Sequence, residues 1–438
     1  MSGAGRLVAE AVAHHEAGRL GQSEATYRAA LELSPGRASI LHNLGVVVAA
    51  QGRHGEALAH FEAALAAEPH YASAHFNRAV ALQSLGRARE VLGAFGRAVA
   101  LDPGNYDAHR ALGFGWLAAG ERGRALDHFA RTCELRRGED REGAALASLT
   151  YASRAKLEHD AAQLRYIARA KRDGKRFELL GRAYHEVARD FPEGITALTL
   201  EQLDMLGDDY NTAIHIASAP EIGEGTINPA LDRAGIERDY LSHPCAATWF
   251  DGLLTAPALA LLRRYLLEST IWHDFSHIGG FVATYLEDGL ACPLMLQIAD
   301  ELRAALPGVL GPHPLSQAWA FKGLDGCSSV AAHADDAAVS VNFWVTPNAA
   351  NLDAARGGLT ICRVPPPADW EIRGYEADTS EIAAFMAAHE AQGLAVPYGE
   401  NRAALFQSRL FHGSDTPQFA PGYENHRINV TLLYGRHG

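Results

Sequence analysis

Two hydrophobic periodicities divide the chain. Up to Arg137 large and small apolar residues return every 34 positions, whereas from about Gln317 apolar and polar residues alternate. In the first region Tyr27, Phe61, Phe95 and Phe129 keep that interval, as do Gly18, Gly52, Gly86 and Gly120, and Pro35, Pro69 and Pro103. The second unit shows the pattern most fully: Leu41, Leu44, Gly45 and Val48, then Ala57 and Phe61, then Pro69. This arrangement predicts paired helices ended by proline, with Gly45, Ala57 and Ala64 small enough to let them approach closely. Beyond Arg137 the register lapses but helical spacing continues. Leu146, Leu149, Leu157, Leu164 and Ile167 mark a helical stretch over 144–170, with a second over 176–190. Both are expected to cap the open end of the array. Residues 191–241, rich in Gly, Pro and Asp, read as a connecting segment, and 256–269 and 291–305 as amphipathic helices.

The alternating region predicts short strands. Val339, Val341, Phe343 and Val345 form one, stopped by Thr346-Pro347. Leu359–Cys362 follows Gly357-Gly358 and is stopped by Pro365-Pro366-Pro367. Ala403–Phe406 runs towards His412, and Ile428–Leu433 makes the last strand. Several short strands separated by turn residues point to a sandwich or jelly roll.

The 34-residue unit closely resembles the tetratricopeptide repeat, a helix-turn-helix module that stacks into a solenoid. Four units are expected over 4–139, then capping helices and a connector over 140–235, then a β-domain over 236–438. The expected fold class is multidomain α + β: an N-terminal α-solenoid followed by a jelly-roll (double-stranded β-helix) domain with flanking helices.

Nearly half of the 438 residues are hydrophobic, 48%, enough for a sizeable core and against wholesale disorder. The formal net charge of −13 with no Lys/Arg cluster argues against nucleic acid as a partner. No stretch of eighteen apolar residues predicts a membrane span, and Met1–Glu10 lacks the pattern of a secretory signal. The five cysteines (Cys133, Cys245, Cys292, Cys327, Cys362) form no metal-binding spacing and read as free thiols. A soluble cytoplasmic protein is expected.

The candidate chemistry lies in the β-domain. On a strand, residues two apart share a face, so His333 and Asp335 can reach one metal ion. His412 completes a 2-His-1-carboxylate set, which leaves three octahedral positions open. Arg427 opens the final strand with Asn429 and Thr431 on its face, while Ile428, Val430 and Leu432 face the core. If the strands bearing His412 and Arg427 are neighbours, a guanidinium stands near the metal and can grip a carboxylate in a bidentate way. Taken in order, His333-Ala334-Asp335, Gly357-Gly358, His412 and Arg427-Ile428-Asn429 resemble the motifs of the Fe(II)/2-oxoglutarate-dependent oxygenases, over about the last 120 residues. The resemblance implies that His333, Asp335 and His412 are the catalytic iron ligands. It implies Arg427 as the anchor of the far carboxylate of 2-oxoglutarate, Asn429 as a second co-substrate contact, and Fe(II), 2-oxoglutarate and O2 as the reagents. The spacing from His412 to Arg427 is longer than is common in that family. Family members that halogenate lack the carboxylate ligand, so Asp335 implies hydroxylation. Asp336 alternates to the opposite face and reads as solvated.

Other residues carry less. His273 and His277 read as non-metal residues of the pocket wall. Trp319, Phe321 and Lys322 suit either the pocket lining or the core, and Cys327 a core filler. The long segment from Pro365 to Pro397 is a candidate lid. In the repeats, Asn43 and Asn77 occupy equivalent positions, and His42-Asn43-Leu44-Gly45 resembles the repeats of O-linked N-acetylglucosamine transferase, whose asparagines hold peptide backbone. The same positions suit ordinary polar residues at a helix surface, and Ala9 and Ala111 replace them in the outer units. The leading expectation is a dioxygenase that hydroxylates a peptide or protein recruited by the repeats, with release of succinate and CO2. The alternatives are a small-molecule hydroxylase whose repeats dimerise, or a catalytically idle repeat scaffold.

Overall fold

A computed structural model describes residues 2–138, 150–171, 174–276, 280–324, 329–367, 370 and 379–436. The chain separates into two compact units, Met1–Trp116 and Leu117–Gly438.

The first unit is built from antiparallel helix pairs: α1 (Gly3–Glu16) with α2 (Leu20–Leu33), α3 (Ala38–Ala50) with α4 (His54–Ala67), and α5 (Ala72–Ser84) with α6 (Ala88–Leu101), followed by most of α7 (Tyr106–Ala118). The periodic glycines Gly18, Gly52 and Gly86 turn the chain between paired helices, each at a positive φ of 69–78°. Tyr27, Phe61 and Phe95 are buried in one continuous core with Leu44, Val48, Ala57 and Leu82. Close approach explains Gly45: a Cβ there would stand 2.6 Å from the Phe61 ring. On the surface, Arg53 and Arg28 hydrogen-bond to Glu24 and hold its carboxyl down to about 2.

The second unit begins within the fourth expected repeat. Helix α8 (Arg122–Arg137) packs on the segment 286–289: the Thr132 hydroxyl meets the Glu287 carbonyl at 3.2 Å and Arg136 pairs with Asp288 at 3.4 Å. The stretches expected to cap the array contain helices Arg154–Ala170 and Gly174–Arg189, which pack on each other. The first of them is tied to the end of helix Ala256–Glu268, because Gln163 Nε2 donates to the Ser269 carbonyl at 2.8 Å. Residues 144–149 lie outside the described residues. The connecting segment holds short elements of its own, including helices Leu200–Leu206 and Arg233–Leu241.

The remaining structure is two antiparallel sheets sharing a core, beside a small ribbon of β1 (Tyr151–Ser153) and β2 (Ile195–Ala197). The larger sheet has six strands: β3 (Ala247–Phe250), β4 (Phe281–Tyr285), β5 (Leu315–Gly323), β6 (Val339–Trp344), β9 (Ala403–Gln407) and β11 (Ile428–Tyr434). Their order is β3-β9-β6-β11-β5-β4. The smaller contains β7 (Leu359–Cys362), β8 (Gly393–Val396) and β10 (His412–Gly413), in the order β10-β7-β8. Strand alternation gives the large sheet two faces. Val341, Phe343, Val430 and Leu432 are buried on the outer one, where the Tyr434 hydroxyl bonds to Ala299 of helix Pro293–Ala305. The inner face shares a core with the small sheet, made by Trp344, Ala404 and Phe406 against Leu359, Ile361 and Val396.

Among the described residues no helix is long and apolar enough to cross a membrane, and Cys133, Cys245, Cys292 and Cys362 are free and buried. Cys327 and His277 lie outside the described residues. Within the candidate lid, helix Thr379–Ala388 packs Ile382, Phe385 and Met386 against Ala332, Ala334 and Phe411, and β8 pairs with β7.

Candidate metal centre

His333, Asp335 and His412 converge. One nitrogen of each ring and one carboxylate oxygen lie within 4.8 Å of one another, and all three residues are buried. The backbone brings them together. His333 and His412 form an isolated antiparallel bridge, each amide donating to the other's carbonyl at 3.0 and 2.9 Å. The Asp335 amide is held by the Ser408 carbonyl at 2.9 Å. The alternation places the His-x-Asp pair on a strand, whereas it lies just before β6 outside any regular strand, secured by the His333–His412 bridge and the Asp335 amide. It needs no regular strand, because two residues of extended chain suffice to give both side chains one direction.

The side chains are prepared as ligands. His333 Nδ1 lies 2.9 Å from the Ala331 carbonyl, and His412 Nδ1 lies 2.9 Å from the Leu410 carbonyl. A carbonyl only accepts, so each Nδ1 carries a proton, which leaves Nε2 as the nitrogen that can present a lone pair to a metal. Those two Nε2 atoms stand 3.7 and 3.6 Å from the two oxygens of Asp335. Metal bonds of about 2.1 Å at right angles put ligand atoms roughly 3 Å apart, and each imidazole stands within about an ångström of that spacing from its own carboxylate oxygen. Ser340, on β6, donates to Asp335 Oδ2 at 2.6 Å and is itself 2.8 Å from the Ser408 hydroxyl. The donor set, two imidazoles and one carboxylate, fits a divalent transition metal. Sequence reading missed Ser340 and Ser408, although Ser340 lies on the inward parity of β6.

One cavity is lined by all three residues and by Arg427 and Asn429. The sequence leaves open that His412 and Arg427 stand on neighbouring strands. They belong instead to different sheets, β10 pairing with β7 and β11 with β5 and β6, and the segment 414–427 crosses between them. The two residues therefore share the cavity from facing sheets. Arg427 is buried, and its Nε donates to the Gly357 carbonyl at 2.8 Å while Nη1 lies 3.4 Å from Asn429 Oδ1. Asn429 thus braces the guanidinium as well as lining the cavity. Trp344 lies 5.7 Å from the guanidinium carbon.

Gly357-Gly358 has a steric reason. Gly357 adopts φ +84°, and a Cβ on Gly358 would stand 2.2 Å from the Val396 carbonyl of β8. Gly358→Ala is expected to cost about 1–3 kcal/mol by overpacking and to lower Tm by a few degrees in thermal unfolding. An unchanged Tm would show that β8 yields freely.

The other candidates separate. Trp319 and Phe321 line the cavity from β5, whereas Lys322 alternates to the outer face and is fully buried with its Nζ 3.0 Å above the Tyr423 ring. Burial pushes that amine well below the ordinary lysine value. His273 lines a different cavity, with Lys156, Asp160 and Asn211. Asp336 is exposed. In the first unit Asn43 and Asn77 are linked through His42, whose Nδ1 lies 3.0 Å from Asn43 Oδ1 and whose Nε2 lies 2.8 Å from Asn77 Nδ2. The Asn77 amide donates to Nε2, so Nδ1 donates to Asn43. Burial holds His42 below the ordinary histidine value, in keeping with this neutral tautomer.

A family model described as Tetratricopeptide repeat matches residues 7–69. The N-terminal helices are tetratricopeptide repeats. No curated protein matches the chain. Among solved structures, MamA (41-end) from Desulfovibrio magneticus RS-1 is 26% identical, over 31% of this chain and 77% of that one, with a TM-score of 0.29. The first repeat domain of Spaghetti (RPAP3), solved bound to an HSP90 peptide, is 19% identical over 27% of this chain and 95% of that one, with a TM-score of 0.26. The match to the repeats ends far before the cavity of the second unit, whose chemistry is read from its own residues.

Proposed function

We propose that the second unit is a double-stranded β-helix oxygenase, its two antiparallel sheets forming the halves of the jelly roll, and that it hydroxylates a peptide or protein recruited by the repeats. The observation that carries this reading is one cavity holding two oriented imidazoles, a braced carboxylate and a buried arginine. The overall reaction converts 2-oxoglutarate, O2 and a C–H bond into succinate, CO2 and C–OH. Fe(II) held by His333, Asp335 and His412 would supply the redox chemistry and the open coordination positions that couple decarboxylation to hydroxylation.

The chain's own residues have defined tasks in this scheme. The carbonyls of Ala331 and Leu410 fix the imidazole tautomers, and Ser340 fixes Asp335. Arg427, oriented by Gly357 and Asn429, receives the far carboxylate of 2-oxoglutarate in a site where little water competes. Trp319, Phe321 and Leu359 give part of the wall apolar surface, suited to positioning an uncharged C–H group. Asp335 occupies the position a halide would need, which favours hydroxylation. The test is succinate formation by the full chain with Fe(II), 2-oxoglutarate and air. Turnover above the metal-free control is expected, and its absence under every metal and substrate condition would contradict the reading.

The repeats supply the recruitment surface in this proposal. His42 uses the carbonyl of Asn43 and one amide hydrogen of Asn77, and the Tyr27 hydroxyl bonds to Asn43, which leaves one amide hydrogen on Asn43 and a carbonyl on Asn77 to meet the two halves of a peptide unit. Peptides selected on an array by the full chain should bind the Asn43→Ala, Asn77→Ala double variant about tenfold more weakly, as two lost hydrogen bonds imply. Uncoupled 2-oxoglutarate turnover should stay unchanged. Equal peptide affinity in the two proteins would remove the groove from the account.

A further inference from the structure

On the inner face of β6 three side chains follow one another: Ser340, Asn342 and Trp344. Residues two apart on a strand are spaced by about 6.6 Å, so this row marks out a path. At one end Ser340 holds the carboxylate of Asp335, and at the other Trp344 lies beside the Arg427 guanidinium. Asn342 stands midway, opposite Thr431 on β11 and Ala404 on β9. It lines the cavity between the candidate metal ligands and the candidate carboxylate anchor.

Asn342 differs from three of its polar neighbours in the cavity. Asp335 accepts from Ser340, Ser414 is bonded to the Val330 amide, and Asn429 accepts from Arg427. Asn342 is 8% exposed, yet its Oδ1 is buried with no hydrogen-bond partner. Burying an amide without a bond forfeits its hydration and stabilises nothing in the fold. A leucine of nearly the same volume would pack the position at no such cost. The amide is therefore explained by something that enters the cavity. An amide can present its nitrogen or its oxygen by a half-turn, and an anionic ligand selects the N–H donors.

We infer that Asn342 is a positioning residue for the keto-acid end of a 2-oxo dicarboxylate, donating an amide hydrogen to the carboxylate next to the keto group. This rests on the reading of the cavity as a 2-oxoglutarate site and adds to it a separation of labour. Arg427 recognises the far carboxylate, and Asn342 orients the near one. The near carboxylate is the group lost in the reaction, so its orientation decides whether the keto acid lies correctly beside the metal ligands.

The experiment is calorimetric titration of the full chain loaded with Mn(II), a redox-inert stand-in, using 2-oxoglutarate and then 2-oxobutyrate, which lacks the far carboxylate. Asn342→Leu and Asn342→Ser are both made, the first preserving volume and the second tolerated if leucine strains the sheet. Each variant should bind Mn(II) as the wild type does. Each should weaken 2-oxoglutarate by about tenfold, the worth of one charge-assisted hydrogen bond, and 2-oxobutyrate by the same factor. Wild-type affinity for 2-oxoglutarate in both folded variants would overturn the inference and leave the wider reading standing. A loss for 2-oxoglutarate with none for 2-oxobutyrate would also overturn it, by moving Asn342 to the far carboxylate. If the Mn(II)-loaded wild type bound neither keto acid, the wider reading would fall with it.

Discussion

Replacing His333 with alanine is expected to abolish 2-oxoglutarate turnover, because the centre then keeps one imidazole and one carboxylate. Metal affinity should fall by at least about a hundredfold, given that loss of even an outer partner costs 10–100-fold. The fold should survive. The bridge between His333 and His412 is made by backbone amides and carbonyls, which alanine retains. The measurement is iron content after gel filtration, together with succinate release and circular dichroism on the same samples. A folded variant that held iron and made succinate at the wild-type rate would remove His333 from the centre.

The second large effect is expected at Arg427. Its guanidinium is buried, braced by the Gly357 carbonyl and by Asn429, and set in the wall of the same cavity. Truncating one partner of a buried, hydrogen-bonded charge pair costs about 2–5 kcal/mol, so Arg427→Gln should weaken 2-oxoglutarate by roughly 30-fold to several thousandfold. Arg427→Lys should rescue only part of this loss. A lysine ammonium is a point charge that can neither form the fork nor reproduce the bond from Nε to Gly357. Metal affinity should remain unchanged in both, since Arg427 offers the ion no ligand atom. If Arg427→Gln bound 2-oxoglutarate as tightly as the wild type, the carboxylate anchor would have to be sought elsewhere.

The legible parts of the chain are those whose structure is local. The 34-residue interval placed the turn glycines and the buried aromatics because each repeat restates the same helix-to-helix contact. Strands β6, β7, β9 and β11 were visible from alternation and from the prolines and glycines around them. Strand β4 was not: four of its five residues are buried, so nothing alternates. Strand β10 is two residues long and exists through its partner β7. Sheet membership was hidden for the same reason. No local signal tells that the segment after His412 crosses to the other sheet, since pairing with β5 and β6 is decided by residues about a hundred positions away. In the cavity, Trp319 and Phe321 could have been separated from Lys322 by parity alone. Asn342 could have been marked as facing the same way as Ser340, but only the unmet amide shows why that matters.

The central claim is that the second unit holds Fe(II) and a 2-oxo acid in one cavity. Anaerobic titration of the full chain tests this most directly, first with Fe(II) and then with 2-oxoglutarate. The account predicts one equivalent of each, with 2-oxoglutarate bound tightly only after the metal, and neither bound tightly by His333→Ala. A chain that took up no Fe(II), or that took up Fe(II) in His333→Ala as in the wild type, would contradict it.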